Sequence, residues 1–266
     1  FERHFPEAIG QGSHGPADLP EAFARDSCAS GTAEDGYVQL IDSNALLTLA
    51  AEEDLVLRVE RLPGHFVVKG SPLALAWPGK RVHDRTQARI NAAFVVGSQR
   101  TPVQDVEFTV SQLVEIAVRA LSPGINDPFT AVACVDRLGA ALSRLAQREM
   151  PSPFRHDGEN KLRVVAPATA FADFADAAFD QVRQYARSSA AVTLRLLETI
   201  AVVAEFAHRP EDRAVLPRHA EMIAPGSPEG LPDPEDRRSL HRCTLPAQPS
   251  PHLRRTDPHC RPRPPA

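Results

Sequence analysis

Near residue 84 the spacing of apolar side chains along this chain changes, from a period of about two to one of about 3.6. Before that point, short runs alternate in polarity between turns rich in Gly and Pro, as half-buried strands do. After it, apolar residues form long stripes at helical spacing behind capping residues. Strands first and helices afterwards predict an α+β fold: a small β-rich, barrel-sandwich-like module followed by an α-helical bundle. Residues 1–35 read as a connector with one short helix around Glu21 to Arg25, 36–80 as the β-rich module and 84–222 as the bundle. Residues 223–266 read as a Pro/Arg-rich disordered tail, since eleven of the 25 prolines lie after Met222.

In the β-rich part, strands are expected at Tyr37 to Ile41, Leu55 to Val59, His65 to Val68 and Leu73 to Trp77. A helix is expected over Ser43 to Ala51, capped by Asp42 or Ser43. Pro63 to Leu73 looks like the turn-strand-turn of barrel-sandwich hybrid modules, biotinyl and lipoyl carrier domains among them. A carrier needs an exposed lysine on the hairpin tip between its halves. Asn44 to Asp54 occupies that position without a lysine, and Lys69 lies in the wrong turn, so the module reads as structural.

A helix is expected over Thr86 to Val96, with apolar Ile90, Ala93 and Phe94, ended by Gly97-Ser98. Thr101-Pro102-Val103-Gln104 reads as a capping box with proline at the first helical position. The helix it opens runs to about Leu121, with Val103, Val106, Val110, Leu113, Val114, Ala117 and Leu121 as its apolar stripe. Ser122-Pro123-Gly124 stops it, and Asp127-Pro128 caps the next, which runs to about Arg148. Residues 150–160 read as a polar loop and Leu162 to Val165 as a short strand. Thr169 then caps a long helical region to His208, jogged near Ser188-Ser189, with stripes through Phe171, Phe174, Ala178, Val182 and Tyr185 and through Val192, Leu196, Thr199, Val203 and Phe206. A last short helix covers Asp212 to Met222.

The formal net charge of −4 gives no reason to expect nucleic acid or an anionic bilayer surface. No apolar run reaches the roughly 18 residues that a membrane-spanning helix needs. The start, Phe1-Glu2-Arg3-His4, lacks the pattern of a signal peptide and an initiator methionine, as a fragment or processed product would. Four cysteines without a CxxC pair read as reduced thiols. GxSxG, GxxxxGK[ST] and HExxH are missing, and no reaction and no cofactor is proposed by motif.

Several blocks carry a family likeness. They are Gly36 to Gln39 with Ile41-Asp42 and Leu46, Pro63 to Val67 with Gly70 to Ala74, Arg100 to Phe108, Leu121 to Ala131, and Gln181 to Tyr185. These are similar to blocks of the predicted membrane proteins catalogued as domain of unknown function 2254. The likeness covers roughly residues 1 to 240 and is most specific over 100 to 131. It implies about four N-terminal transmembrane helices, which this chain lacks, followed by this region on the cytoplasmic side. The membrane is then the partner of the full-length protein through those helices. The implied role is assembly, regulation or transport rather than catalysis. The alternative is an ion- or small-ligand-binding module centred on the 100–131 hairpin. Beyond about Ser239 the chain departs from the family.

The candidate ligand or interface residues are Gln104, Asp105, Glu107, Gln112, Glu115 and Arg119 on one helix, with Asn126 and Asp127 in the turn. Carboxylates and amides there could hold a hard cation or form a packing surface. Capping chemistry accounts for Thr101, Gln104, Asp105 and Asp127 with no ligand at all. The loop Ser122 to Pro128 could hold an anion on free amides, or simply be a tight αα-hairpin. His241, Cys243, His252, His259 and Cys260 are zinc-ligand types, but their spacing matches no paired-ligand finger and no metal is assigned. Self-association through a helical interface is the expected partnership. Nucleic acid is not expected, because the tail arginines have no aromatic companions.

Overall fold

The computed structural model describes residues 19–223, which form an α+β fold around two apolar cores. The expected tail and its Cys/His set lie outside these residues. The chain begins with α1 (Phe23–Asp26), β1 (Cys28–Gly31), β2 (Gly36–Ile41), α2 (Ser43–Glu52), β3 (Val56–Val59), β4 (Phe66–Val67), β5 (Pro72–Trp77), α3 (Asp84–Ala92) and β6 (Phe94–Gly97). Alternation orients β3, which buries Leu57 and Val59, while in β2 a register shift between Val38 and Leu40 brings both Val38 and Ile41 inward. Helix α2 starts on Asp42 as expected, the carboxylate accepting from the Ala45 amide at 2.9 Å. Val38, Leu46, Leu49, Leu57, Leu73 and Ile90 lie at the centre of this first core.

Two segments here differ from the sequence reading. Cys28–Gly31, read as connector, is an edge strand antiparallel to β5, with Ser30 opposite Ala74. It is held from a distance: the Asn91 amide of α3 accepts from the Ser30 hydroxyl at 2.7 Å and donates to the Gly31 carbonyl at 3.0 Å. The helix expected over Thr86 to Val96 stops at Ala92, and Phe94–Gly97 pairs with β2 instead. Phe94, Val95 and Val96 are bulky or β-branched, and pairing with β2 outweighs continuation of the helix. Ile90, Ala93 and Phe94 accordingly pack in the first core.

The chain continues with α4 (Val106–Ala120), α5 (Pro128–Ala146), β7 (Phe154–His156), β8 (Leu162–Val165), α6 (Phe171–Tyr185), α7 (Ala190–Phe206) and α8 (Pro210–Ile223). The helical stripes build the second core, with Phe171, Phe174 and Phe179 fully buried. Helices α5 and α7 approach closely at Gly139, where a Cβ would lie 2.3 Å from the Thr199 methyl. The expected jog is a 3-10 turn, Ala186–Ser188, closed by the Thr193 hydroxyl donating to the Ala186 carbonyl at 2.8 Å. Three stripe residues point elsewhere. Val103 precedes its helix and is 58% exposed, while Tyr185 and Phe206 end theirs, beyond the last buried turn, and are 51% and 40% exposed. Thr169 does not cap α6; Asp173 reaches back to the Ala170 amide at 2.7 Å.

Strand order is β1-β5-β3-β8-β7 in one sheet and β4-β2-β6 in the other. Strand β8 lies parallel to β3, with Leu57 opposite Val164, so a hairpin between α5 and α6 completes the first sheet. The loop expected over 150–160 therefore contains β7. Buried Arg163 secures the hairpin, Nε donating to Asp157 Oδ2 at 2.7 Å and Nη1 to Asp54 Oδ1 at 2.8 Å.

Candidate functional site

Gln104 and Asp105 sit where the two cores meet. The capping box expected at Thr101 does not form: residues 102–104 are a turn and α4 begins at Val106. Asp105 is the cap, its Oδ1 accepting from the Phe108 amide at 2.9 Å. A charged acceptor suits a helix N-terminus better than a hydroxyl, and Arg100 fixes this one in place. Arg100 donates from Nε to Oδ2 at 2.7 Å and from Nη2 to Oδ1 at 3.0 Å, and that pairing raises the guanidinium above its ordinary value. Gln104 is thereby free to reach β2. Its Oε1 accepts from the Ile41 amide at 2.8 Å and its Nε2 donates to the Ile41 carbonyl at 3.1 Å, so the side chain pairs with the strand end as a neighbouring strand would. Gly64, at φ +93°, brings the preceding turn against the same carboxylate.

Beside this joint runs a cleft of about 290 Å³. That is near the lower end of the range for small-molecule sites, about 300–1,000 Å³. Its buried floor is apolar, with Leu46, Val59 and Val164 from the first core and Phe174 from the second. Four ionisable side chains line it: His65, Asp105, Glu107 and Arg155. Asp105 is committed to Arg100 and its helix. Glu107 makes no hydrogen bond or ion pair among the described residues. Among the described residues Arg155 donates through Nη1 alone, to the carbonyls of Ser152 and Phe154, and not through Nε or Nη2. His65 Nδ1 accepts from the Leu62 amide at 3.2 Å, so the ring hydrogen sits on Nε2.

Past Leu62, His65 and Glu107 the cleft opens into a groove of about 710 Å³ between α4 and α6. Glu115 and Arg119 line it as the expected ion pair, at 2.5 Å. The α6 acids in the groove are engaged: Asp173 by its helix start, Asp176 by Arg218, and Asp180 by Arg183 at 3.3 Å. Behind them His219 of α8 is fully buried, Nε2 lying 3.0 Å from Asp176 Oδ1 without hydrogen-bond geometry. Burial lowers its pKa against the pull of Asp176 and Asp180.

The candidate set is therefore divided. Gln104, Asp105 and Glu107 line the cleft, and Glu115 and Arg119 the groove. Gln112 is exposed and lines neither. Asn126 is an exposed turn residue at φ +47°. Asp127 caps α5, accepting from the Thr130 hydroxyl at 2.5 Å and from the Phe129 and Thr130 amides at 3.1 Å, and the hydroxyl does most to lower its pKa. The loop amides of Ile125, Asn126 and Asp127 are spent on the Ser122 and Ala120 carbonyls, as a tight αα-hairpin requires. Sequence reasoning missed His65, Arg155 and His219 as site residues. His65 lay within a block that carried the family likeness, while Arg155 had no periodic signal around it. Among the described residues, no group of three or more His, Cys, Asp or Glu is placed to hold a metal ion.

Residues 6–202 match the family described as "Predicted membrane protein (DUF2254)". The chain belongs to this family. Uncharacterized proteins of Mycobacterium bovis and Mycobacterium tuberculosis are each 30% identical to it over 207 residues, covering 76% of this chain. The chain spans 40% of the length of these curated relatives. No solved structure matches it significantly. The DUF2254 match takes in every residue lining the cleft and stops short of α8. No helix among the described residues is long and apolar enough to cross a membrane.

Proposed function

We propose that this region is the ligand-sensing, regulatory part of a membrane protein, with the cleft between its two cores as the sensing site. One observation carries this: the walls of the cleft come from both cores, which Gln104 and Asp105 join along one edge. A ligand touching both walls would favour one relative placement of strands and helices, and it can shift that balance only by its differential affinity. The remaining polypeptide of a full-length DUF2254 protein would read the change. Cys28 and Cys134 form no disulfide among the described residues, and the region is assigned here to a reducing, cytoplasmic side.

The test is a fragment screen by saturation-transfer NMR on the chain and on Ala166→Phe, which fills the cleft. Fragments that bind the native chain and are lost in the filled variant, at an unchanged melting temperature, are the expected result. Absence of any binder that the filled variant loses would defeat the proposal.

A further inference from the structure

Resting on the sensing role of the cleft, we propose that its ligand is a small zwitterion of the amino-acid class, with an apolar side chain on the buried floor, a carboxylate at Arg155 and an ammonium at Glu107.

The two charged groups with unspent capacity are of opposite sign, and they line one small cavity. A ligand carrying only an anion would satisfy Arg155 and sit beside Glu107, whose charge is met only at a distance, by an Arg100 already paired with Asp105. A ligand carrying only a cation would meet the reverse penalty. Like charges in proximity discriminate against a ligand of either single sign, so a molecule carrying both signs is the one not rejected at either end. Nε and Nη2 are adjacent on one edge of the guanidinium, the fork that receives a carboxylate bidentately. The Nε2 hydrogen of His65 and the hydroxyls of Ser43 and Thr169 supply further donors. Glu107 lies where the cleft meets the groove, which sets the ammonium at the mouth and the side chain inward. Leu46, Val59, Val164 and Phe174 offer that side chain an apolar seat. The volume admits a metabolite and excludes a folded or polymeric partner.

The common amino acids, screened singly by thermal shift, supply the probe. The best of them is then compared by calorimetry with its analogue lacking the ammonium and its analogue lacking the carboxylate. Each analogue is expected to bind at least about tenfold more weakly than the amino acid. Glu107→Gln is the decisive variant because Glu107 makes no hydrogen bond or ion pair among the described residues and acts in the fold only through its charge, near Arg100 and in the first turn of α4. It should weaken the amino acid by about tenfold or more and leave the carboxylate-only analogue unchanged or tighter. Arg155→Lys should weaken both, with circular dichroism confirming that its hairpin is intact. A carboxylate-only analogue that matches the amino acid, an affinity unmoved by Glu107→Gln, or no amino acid binding while fragments still occupy the cleft each overturns the zwitterion. Failure of every fragment to bind removes the sensing role itself, which is a different result.

Discussion

At Gly64 the backbone adopts φ +93° and passes so close to Asp105 that a Cβ would lie 2.3 Å from Oδ2. Conformation and space both exclude a side chain there. Gly64→Ala should therefore carry the strain of an unfavourable φ and push Asp105 off its cap, a loss of about 2–4 kcal/mol. Urea unfolding followed by circular dichroism measures it, and an unchanged midpoint would mean that the turn moves away freely. His219 gives a pH-dependent prediction. Its folded-state pKa lies below the unfolded value of about 6.5, because burial outweighs Asp176 and Asp180 on α6, with Arg218 on its own helix also opposing protonation. The unfolded chain thus takes the proton first as pH falls. The stability linked to this group is complete above about pH 6.5 and is lost below it, toward the folded value. Thermal midpoints recorded between about pH 7 and 5 should fall less steeply for His219→Leu than for the native chain. Equal slopes would assign the decline to other groups.

Elements held by local chemistry were legible, and those held by distant partners were not. Asp127 and Pro128 open α5 by rules that operate within four residues, and α2 starts on Asp42 for the same reason. Strands β1 and β6 are four residues each, and their existence depends on Asn91, β5 and β2, which no local pattern contains. The site divides in the same way. Asp105 and Glu107 were found on the helix that carries them, whereas Arg155 enters the cleft only because β7 and β8 fold back onto β3. Gln104 was recognised but given the wrong partner: proximity favoured the cap at Thr101, and two hydrogen bonds to Ile41 won. Gln104→Leu should leave both Ile41 backbone groups unpaired at a cost of about 1–3 kcal/mol. Hydrogen exchange at the Ile41 amide should accelerate, while exchange within α5 stays as it was. Phe129, at the hairpin tip, is 86% exposed, so Phe129→Ser should leave the melting temperature nearly unchanged. A marked drop would show that the tip packs against something in solution.

The two cores are wired together by the path of the chain. Strand β8 sits between α5 and α6 in sequence yet pairs with β3, so the first sheet is incomplete until the helices that flank β8 are brought to it. Trp77, the single tryptophan, belongs to β5 of that sheet and reports on the first core. Far-UV circular dichroism reports chiefly on the helices of the second. If the wiring couples the cores, fluorescence and circular dichroism should trace one coincident urea transition. Arg163 is the side chain that ties β8 to Asp54 on the first-core side and to Asp157 in its own hairpin. Arg163→Met leaves Asp157 without its guanidinium partner, though its Oδ1 keeps the Glu159 and Lys161 amides, while Asp54 is more exposed and keeps Arg81. Removing one partner of a buried ion pair is strongly destabilising, and the exposure of Asp54 and the amides retained by Asp157 make the loss here smaller than that. The fluorescence transition of this variant should move to lower urea ahead of the circular dichroism transition, because β8 no longer holds the sheet while the helical stripes remain intact. Two transitions that move together by the same amount would locate the coupling in the Gln104 and Asp105 joint instead, where it would survive the loss of Arg163.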